Sequence, residues 1–168
     1  INVIEPFTIP ASWKLDRSFD WGVAKPFSVQ WWAEADGTSV TRPDGTTWRP
    51  PRGTLFLVHE WYGWNGHANT GLRLTDPEVA RGILAHEREH PVLSGRQVKG
   101  GPADPTIFDC SPEEVNGIRI ETSIAKEHEK LGIRWVPAHA ESGSRVPSGA
   151  KLRQMMKACH KQPMEDAG

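Results

Sequence analysis

Cysteine is scarce in this 168-residue chain, with Cys110 and Cys159 far apart and no CxxC pair. A disulfide framework or a structural zinc site of paired cysteines is therefore not expected, and the sequence suits a reducing cytoplasm. No run of about 18 apolar residues occurs, so no membrane-spanning helix is predicted. The sequence opens on Ile1 without an initiator Met or a signal peptide, and we expect it to be a piece of a longer protein.

An excess of either charge is also missing, since 20 basic and 21 acidic residues give a net charge of −1. This balance neither requires nor excludes a nucleic-acid partner, because a basic face can be offset by an acidic pocket. The length fits one domain with one core. Hydrophobic residues make up 37% of the chain, which is somewhat few, and eight Trp supply part of the missing core volume.

The first half of the chain predicts an arm followed by three strands. Residues 1–16 contain two prolines and are predicted to be an extended linker arm from a preceding ATPase domain, and 17–168 to be the folded domain. Alternating and β-branched residues predict strands at 18–22, 27–33 and 54–62. The stretch 38–53 is rich in Pro, Gly and Thr and predicts a protruding loop or small ribbon.

The second half predicts alternating helices and strands. Thr75 and Glu78 form a capping-box pattern at the start of an amphipathic helix. The predicted elements are helix 76–90, strand 97–104, helix 123–131, strand 133–138 and helix 149–160. A three-strand meander followed by α/β alternation indicates a mixed sheet with helices on both faces.

Two aspartates lie at informative places in this order. Asp20 belongs to the first strand, and Asp104 ends the fourth strand. If those strands are parallel neighbours, their carboxyl ends meet at one sheet edge, where open sheets bind ligands. Paired carboxylates repel each other unless a cation lies between them, and Mg²⁺ or Mn²⁺ is the expected ion. Two such ions could activate water and polarise a phosphate.

Each of these residues also has a structural alternative. Asp20 precedes Gly22 closely and could be a turn residue, and Asp104 precedes Pro105 and could cap a helix. A rival metal signal lies in the first helix, where His86 and His90 have the spacing of a zinc-protease pair. The charged residues around them and the proline that follows favour an exposed helix end instead.

Several stretches of the chain resemble the nuclease domains of large terminase subunits, the DNA-packaging motors of tailed phages and prophages. The stretches, in chain order, are FDWGVAKPFS at 19–28, HEWYG at 59–63, GLRL at 71–74, EVA at 78–80, GPADPTIFD at 101–109, PA at 137–138 and SRVPSG at 144–149. They cover about residues 17–157 in the order of the family. Their specificity comes from the set rather than from any one stretch.

The resemblance implies a ribonuclease-H-like fold and a metal-dependent endonuclease of the two-metal type that cuts double-stranded DNA during packaging. It makes Asp20 and Asp104 the catalytic metal ligands. It also implies a portal protein and a small terminase subunit as partners, and the host cytoplasm as the location.

A third acid in a late helix belongs to the family pattern, and nothing after Asp109 matches it. Glu165 and Asp166 form the late acidic pair, in a tail without the family context. Glu60 and Asp109 are predicted as possible additional acids. With two of three acids, the chain is expected to hold metal weakly and to be a weak or inactive nuclease.

Basic residues cluster near the carboxyl end of the chain. Arg145, Lys151 and Arg153 could follow a DNA backbone without reading bases, with a solvated helix face as the alternative. Two rival functions remain open at this point. One is a Holliday-junction-resolvase-like nuclease on the same fold, and the other is a non-catalytic module that binds DNA or the portal through 38–53 and the basic helix.

Overall fold

The structure is a computed structural model that describes residues 3–115 and 118–139. Its strands are β1 (Lys14–Asp20), β2 (Ser28–Glu34), β3 (Val40–Thr41), β4 (Thr47–Trp48), β5 (Leu55–Tyr62), β6 (Val98–Ala103), β7 (Ser111–Val115), β8 (Ile118–Thr122) and β9 (Val136–Pro137). Its helices are α1 (Asp76–Glu89), α2 (Ile124–Lys130) and a 3-10 helix (Pro105–Phe108). No helix in the described ranges is long and apolar enough to cross a membrane.

Five strands form the central sheet in the order β5-β2-β1-β6-β9. Strand β2 runs antiparallel to β1 and β5, whereas β6 is parallel to β1 and β9 is parallel to β6. A three-strand meander continued by parallel strands confirms the predicted ribonuclease-H-like fold class. The strands β3 and β4 form the small ribbon expected within 38–53.

Both described helices pack on the same face of the sheet. Leu15, Arg17 and Phe19 alternate along β1 and are buried on that face. Arg17 contacts Glu87 of α1, and Phe19 stacks on His128 of α2 with ring centroids 5.6 Å apart. The connections β5–α1–β6 and β6–α2–β9 both join parallel strands and progress in one direction across the sheet. Right-handed crossovers therefore place both helices on one side.

The prediction of helices on both faces is not met within the described ranges. Leu55 and Leu57 project from β5 on the opposite face and are each 48% exposed. The helix predicted at 149–160 lies outside the described residues.

The amino-terminal segment is more integrated than the predicted arm. Strand β1 begins at Lys14, three residues before the predicted boundary, and Trp13 is almost fully buried. Phe7 packs edge-on against Trp13 and Phe56, with centroids 5.9 and 5.4 Å away. Burial of these rings extends the core to this segment and moves the start of the first strand. The preceding ATPase domain remains a prediction.

A hairpin between the fourth and fifth sheet strands was not predicted. Strands β7 and β8 pair antiparallel between the 3-10 helix and α2. The sequence did contain a signal, because Asn116-Gly117 is a dipeptide typical of hairpins. The fifth sheet strand is also shorter than predicted, with two paired residues in β9.

A buried ion pair joins β1 to α1. The Arg17 guanidinium donates to the Glu87 carboxylate at 2.6 Å, and the two side chains are 5% and 17% exposed. The same carboxylate oxygen accepts from the Trp31 indole at 3.0 Å. Arg17 also lies over the Trp135 ring, 5.0 Å from its centroid. One carboxylate therefore ties the helix to two neighbouring strands.

Candidate functional site

Asp20 and Asp104 end two adjacent parallel strands. Phe19 of β1 is in register with Ala103 of β6. Asp20 directly follows Phe19, and Asp104 directly follows Ala103. The Asp104 N–H donates to the Phe19 carbonyl at 3.0 Å, and the Ala138 N–H donates to the Ala103 carbonyl at 2.8 Å. The two aspartates thus lie at the same carboxyl edge of the sheet, in the arrangement on which the sequence prediction depended.

Asp104 also has the capping role that was its structural alternative. Its Oδ1 accepts from the Thr106 N–H at 2.9 Å and from the Thr106 hydroxyl at 2.8 Å, at the start of the 3-10 helix. Pro105 ends the strand because it has no N–H to continue the ladder. These two bonds involve one carboxylate oxygen, so the cap orients the side chain and is compatible with a ligand role for the other oxygen.

A third carboxyl near this edge was missed from the sequence. Asp76 begins α1, and its carboxylate accepts a hydrogen bond from the side chain of Trp21, the residue after Asp20. Burial raises the pKa of Asp76, with Glu127 adding to the rise and the Trp21 bond opposing it. In the sequence Asp76 is an ordinary first-turn residue, and its link to Trp21 depends on the packing of α1.

Glu60 and Asp109, the possible additional acids, lie in surroundings different from those of Asp20 and Asp104. The Glu60 carboxylate accepts from Ser28 at 2.9 Å and Gln30 at 3.2 Å on the exposed face of β5. Strand β5 is two strands from β1, which separates the backbones of Glu60 and Asp20 by about 10 Å or more. Asp109 is exposed and ends the 3-10 helix, where its N–H donates to the Thr106 carbonyl at 3.2 Å.

Across residues 3–115 and 118–139, no three His, Cys, Asp or Glu side chains form a group that could hold an ion. The two-acid site expected from the sequence remains a prediction. The predicted DNA-binding residues Arg145, Lys151 and Arg153, and the late pair Glu165 and Asp166, lie outside the described residues.

Three histidines meet where the end of α1 packs on β5. His59 and His86 share a 2.9 Å hydrogen bond between ring nitrogens, and the His90 ring stacks on His59 with centroids 4.4 Å apart. Arg88 and Glu89 are exposed as expected for a charged helix end, but His86 and His90 are half-buried, because β5 supplies aromatic partners such as Trp61. Burial lowers the pKa of all three imidazoles, and their mutual repulsion adds to the effect in His59 and His86.

These histidines predict a loss of stability in mild acid. A histidine with a folded pKa below its usual 6.5 binds fewer protons folded than unfolded, so its contribution is complete above pH 6.5 and falls as the pH decreases through that value. Asp16 and Asp76 have raised pKa values and oppose this loss at lower pH. We expect the free energy of unfolding, measured with denaturant, to decrease steadily from about pH 7.5 to 5.

In His90→Gln, the free energy of unfolding should fall less steeply with decreasing pH. The slope should be smaller by up to about 1.4 kcal/mol per pH unit, the value for one linked proton. His67→Gln is the matched control, because His67 lies exposed in a loop away from the cluster. A free energy of unfolding that is constant over this pH range would contradict the assignment.

His128 is a further buried group that the sequence did not single out. It is fully buried in α2, stacks on Phe19 and accepts the Trp135 indole N–H on Nδ1 at 3.0 Å. Burial lowers its pKa to about 4, so the ring is neutral at physiological pH. Its ring packs against Phe19, the residue of β1 directly before Asp20, and so supports the end of this strand.

A solved structure shows a modest similarity to this chain. The chain is similar to the structure of the P22 large terminase nuclease domain, with a TM-score of 0.46 and 16% identity over 92% of this chain and 63% of that chain. The chain thus spans less than two thirds of that structure. No protein-family model and no curated protein matches the sequence.

Proposed function

We propose that the chain is a metal-dependent endonuclease domain that cuts double-stranded DNA in a phage DNA-packaging terminase. The observation that supports this function is the placement of Asp20 and Asp104 at the carboxyl ends of adjacent parallel strands. Hard carboxylate oxygens are suitable ligands for Mg²⁺ or Mn²⁺, and the donor set fits such a cation. The sequence motifs of the terminase family add the biological setting.

The residues of the chain have distinct tasks in this proposal. Asp20 and Asp104 would hold the cation, which would activate water and neutralise charge on the phosphate. The bond from the Asp104 N–H to the Phe19 carbonyl fixes the two strand ends relative to each other. Thr106 orients the Asp104 carboxylate through its two hydrogen bonds. Such preorganisation reduces the rearrangement needed when substrate arrives.

The portal protein, the small terminase subunit and the host cytoplasm follow from the family resemblance and belong to the proposal. The 168-residue chain is expected to bind Mg²⁺ poorly, because two carboxylates give few ligands to an ion that loses its hydration shell reluctantly.

Plasmid cleavage tests the proposal. The 168-residue chain should nick supercoiled plasmid slowly with Mn²⁺ or Mg²⁺ and lose this activity in EDTA. Cleavage that persists in excess EDTA would overturn the metal-dependent mechanism. A strong preference for four-way junctions over linear duplex would assign the site to a resolvase-like nuclease instead.

A further inference from the structure

Two loops are joined beside the acid pair. Residues 21–27 connect β1 to β2, and residues 63–72 follow β5 at the same sheet edge. The Gly71 N–H donates to the Ala24 carbonyl at 2.8 Å, and the Gly63 N–H donates to the Phe27 carbonyl at 2.9 Å. A Cβ at Gly71 would collide with the carbonyl oxygens of Val23 and Lys25, so glycine allows this close approach.

The 63–72 loop is internally ordered around Trp64. Trp64 and Gly71 form an antiparallel bridge, and the Trp64 indole N–H donates to the His67 carbonyl within the loop. The Asn65 side chain accepts from the His67 N–H at 3.0 Å. The polar atom of the indole is therefore satisfied locally, and half of the side chain remains exposed. The loop holds an aromatic face toward solvent at little further entropic cost.

Exposed apolar side chains are concentrated on these loops. Ten large apolar side chains are exposed in the described part of the chain, and half of them lie here or at the end of β5. We call this group the aromatic rim, and its members are Trp21, Val23, Tyr62, Trp64 and Leu72. Single exposed apolar residues are ordinary, whereas five on two adjoining loops at one sheet edge are typical of a binding surface.

We propose that the aromatic rim binds unpaired DNA bases next to the phosphate that is cut. This inference rests on the proposed nuclease function and names the substrate feature that the site recognises. Register places Asp20, Ser28 and Tyr62 in one row across the sheet, so the Tyr62 end of the rim lies about 10 Å from Asp20. Bases in an intact duplex present only their edges in the grooves. Stacking on Trp64 and Tyr62 therefore requires a frayed, nicked or single-stranded segment.

Two exposed cations near the rim are suited to contact a nucleic-acid backbone. Lys25 is exposed on the first loop, Arg73 is exposed directly after the second loop, and both could contact phosphates beside a stacked base. The acidic neighbours are Asp20 and Asp104, the proposed metal ligands, Asp76, which contacts Trp21, and Glu60, which already accepts two hydrogen bonds on β5. Cations and aromatic rings in alternation are the usual composition of a surface for single strands.

Binding of a fluorescent oligothymidine to the 168-residue chain in EDTA tests this assignment. Trp64→Ala should raise the dissociation constant about tenfold, which corresponds to the loss of stacking with one base. Trp64→Phe should retain affinity within about threefold, because a ring is still present. The dependence of affinity on salt should be the same in both variants, since the phosphate contacts are unchanged.

Leu57→Ala is the matched control, because Leu57 is a similarly exposed apolar residue nearer the other end of β5. It should bind the oligonucleotide like the unsubstituted chain. Equal affinity of Trp64→Ala and the unsubstituted chain would overturn the proposal and favour protein docking at the rim. Failure of the nuclease function is distinguishable, because the binding assay contains no metal and requires no cleavage.

Discussion

Asp20→Asn and Asp104→Asn are each expected to reduce metal-dependent DNA cleavage by at least about a thousandfold, a loss of roughly 4 kcal/mol in transition-state stabilisation. An amide has the shape of the carboxylate but lacks its negative charge, so it holds a divalent cation poorly. Neither change should alter folding greatly, because both residues lie at strand ends and Asp20 is exposed. Initial rates of plasmid nicking by the 168-residue chain with Mn²⁺ measure the effect.

Asp16→Asn provides the matched control on the same strand and the same face. Asp16 precedes Asp20 by four residues, which places it about 13 Å from the acidic edge. Burial and the neighbouring Glu34 already raise its pKa, so a neutral side chain is tolerated there. Its cleavage rate should stay within about twofold of the unsubstituted protein. Wild-type rates in Asp20→Asn and Asp104→Asn would show that the metal site lies elsewhere.

The Glu87→Gln variant should lose about 3 kcal/mol in the free energy of unfolding. The substitution leaves the buried Arg17 guanidinium without its counter-charge, and an uncompensated buried charge is costly. The indole of Trp31 also loses a charged acceptor. Urea denaturation at pH 7.5, above the range in which the histidines titrate, would measure this loss.

Glu89→Gln separates the effect of burial from the effect of pairing. Glu89 lies two residues further on the same helix and pairs with Arg88 at 3.0 Å, but these side chains are 70% and 73% exposed. Exposed pairs contribute little, so the change should be below about 0.5 kcal/mol. Similar losses in the two variants would contradict the assignment of Glu87 as a buried anchor.

Much of the sheet could be predicted because its strands have local signatures. The alternation in β2 and β5 and the capping box of α1 are encoded over a few neighbouring residues, and the structure has each of them. The start of β1 was placed too late, because prolines upstream suggested a linker. The burial of Trp13 and Leu15 depends on residues far along the chain and has no local sign.

The candidate site shows the same division. Asp20 and Asp104 could be proposed because strand order alone brings their ends together. Asp76 could not, since its bond from Trp21 requires the helix to be packed in place. The joined histidines were also missed, because His59 and His86 belong to different elements and the spacing of His86 and His90 suggested zinc or an exposed helix end.

The pairing of β1 with β6 has a consequence for the folding kinetics of the domain. About 80 residues separate the two strands, so closing this loop costs chain entropy before the parallel ladder can form. The meander of β1, β2 and β5 is more local and should form earlier. Asp20 and Asp104 would then become neighbours late in folding, when β6 joins the preformed meander. A divalent cation that binds between them would favour the folded state and make the melting temperature depend on metal concentration.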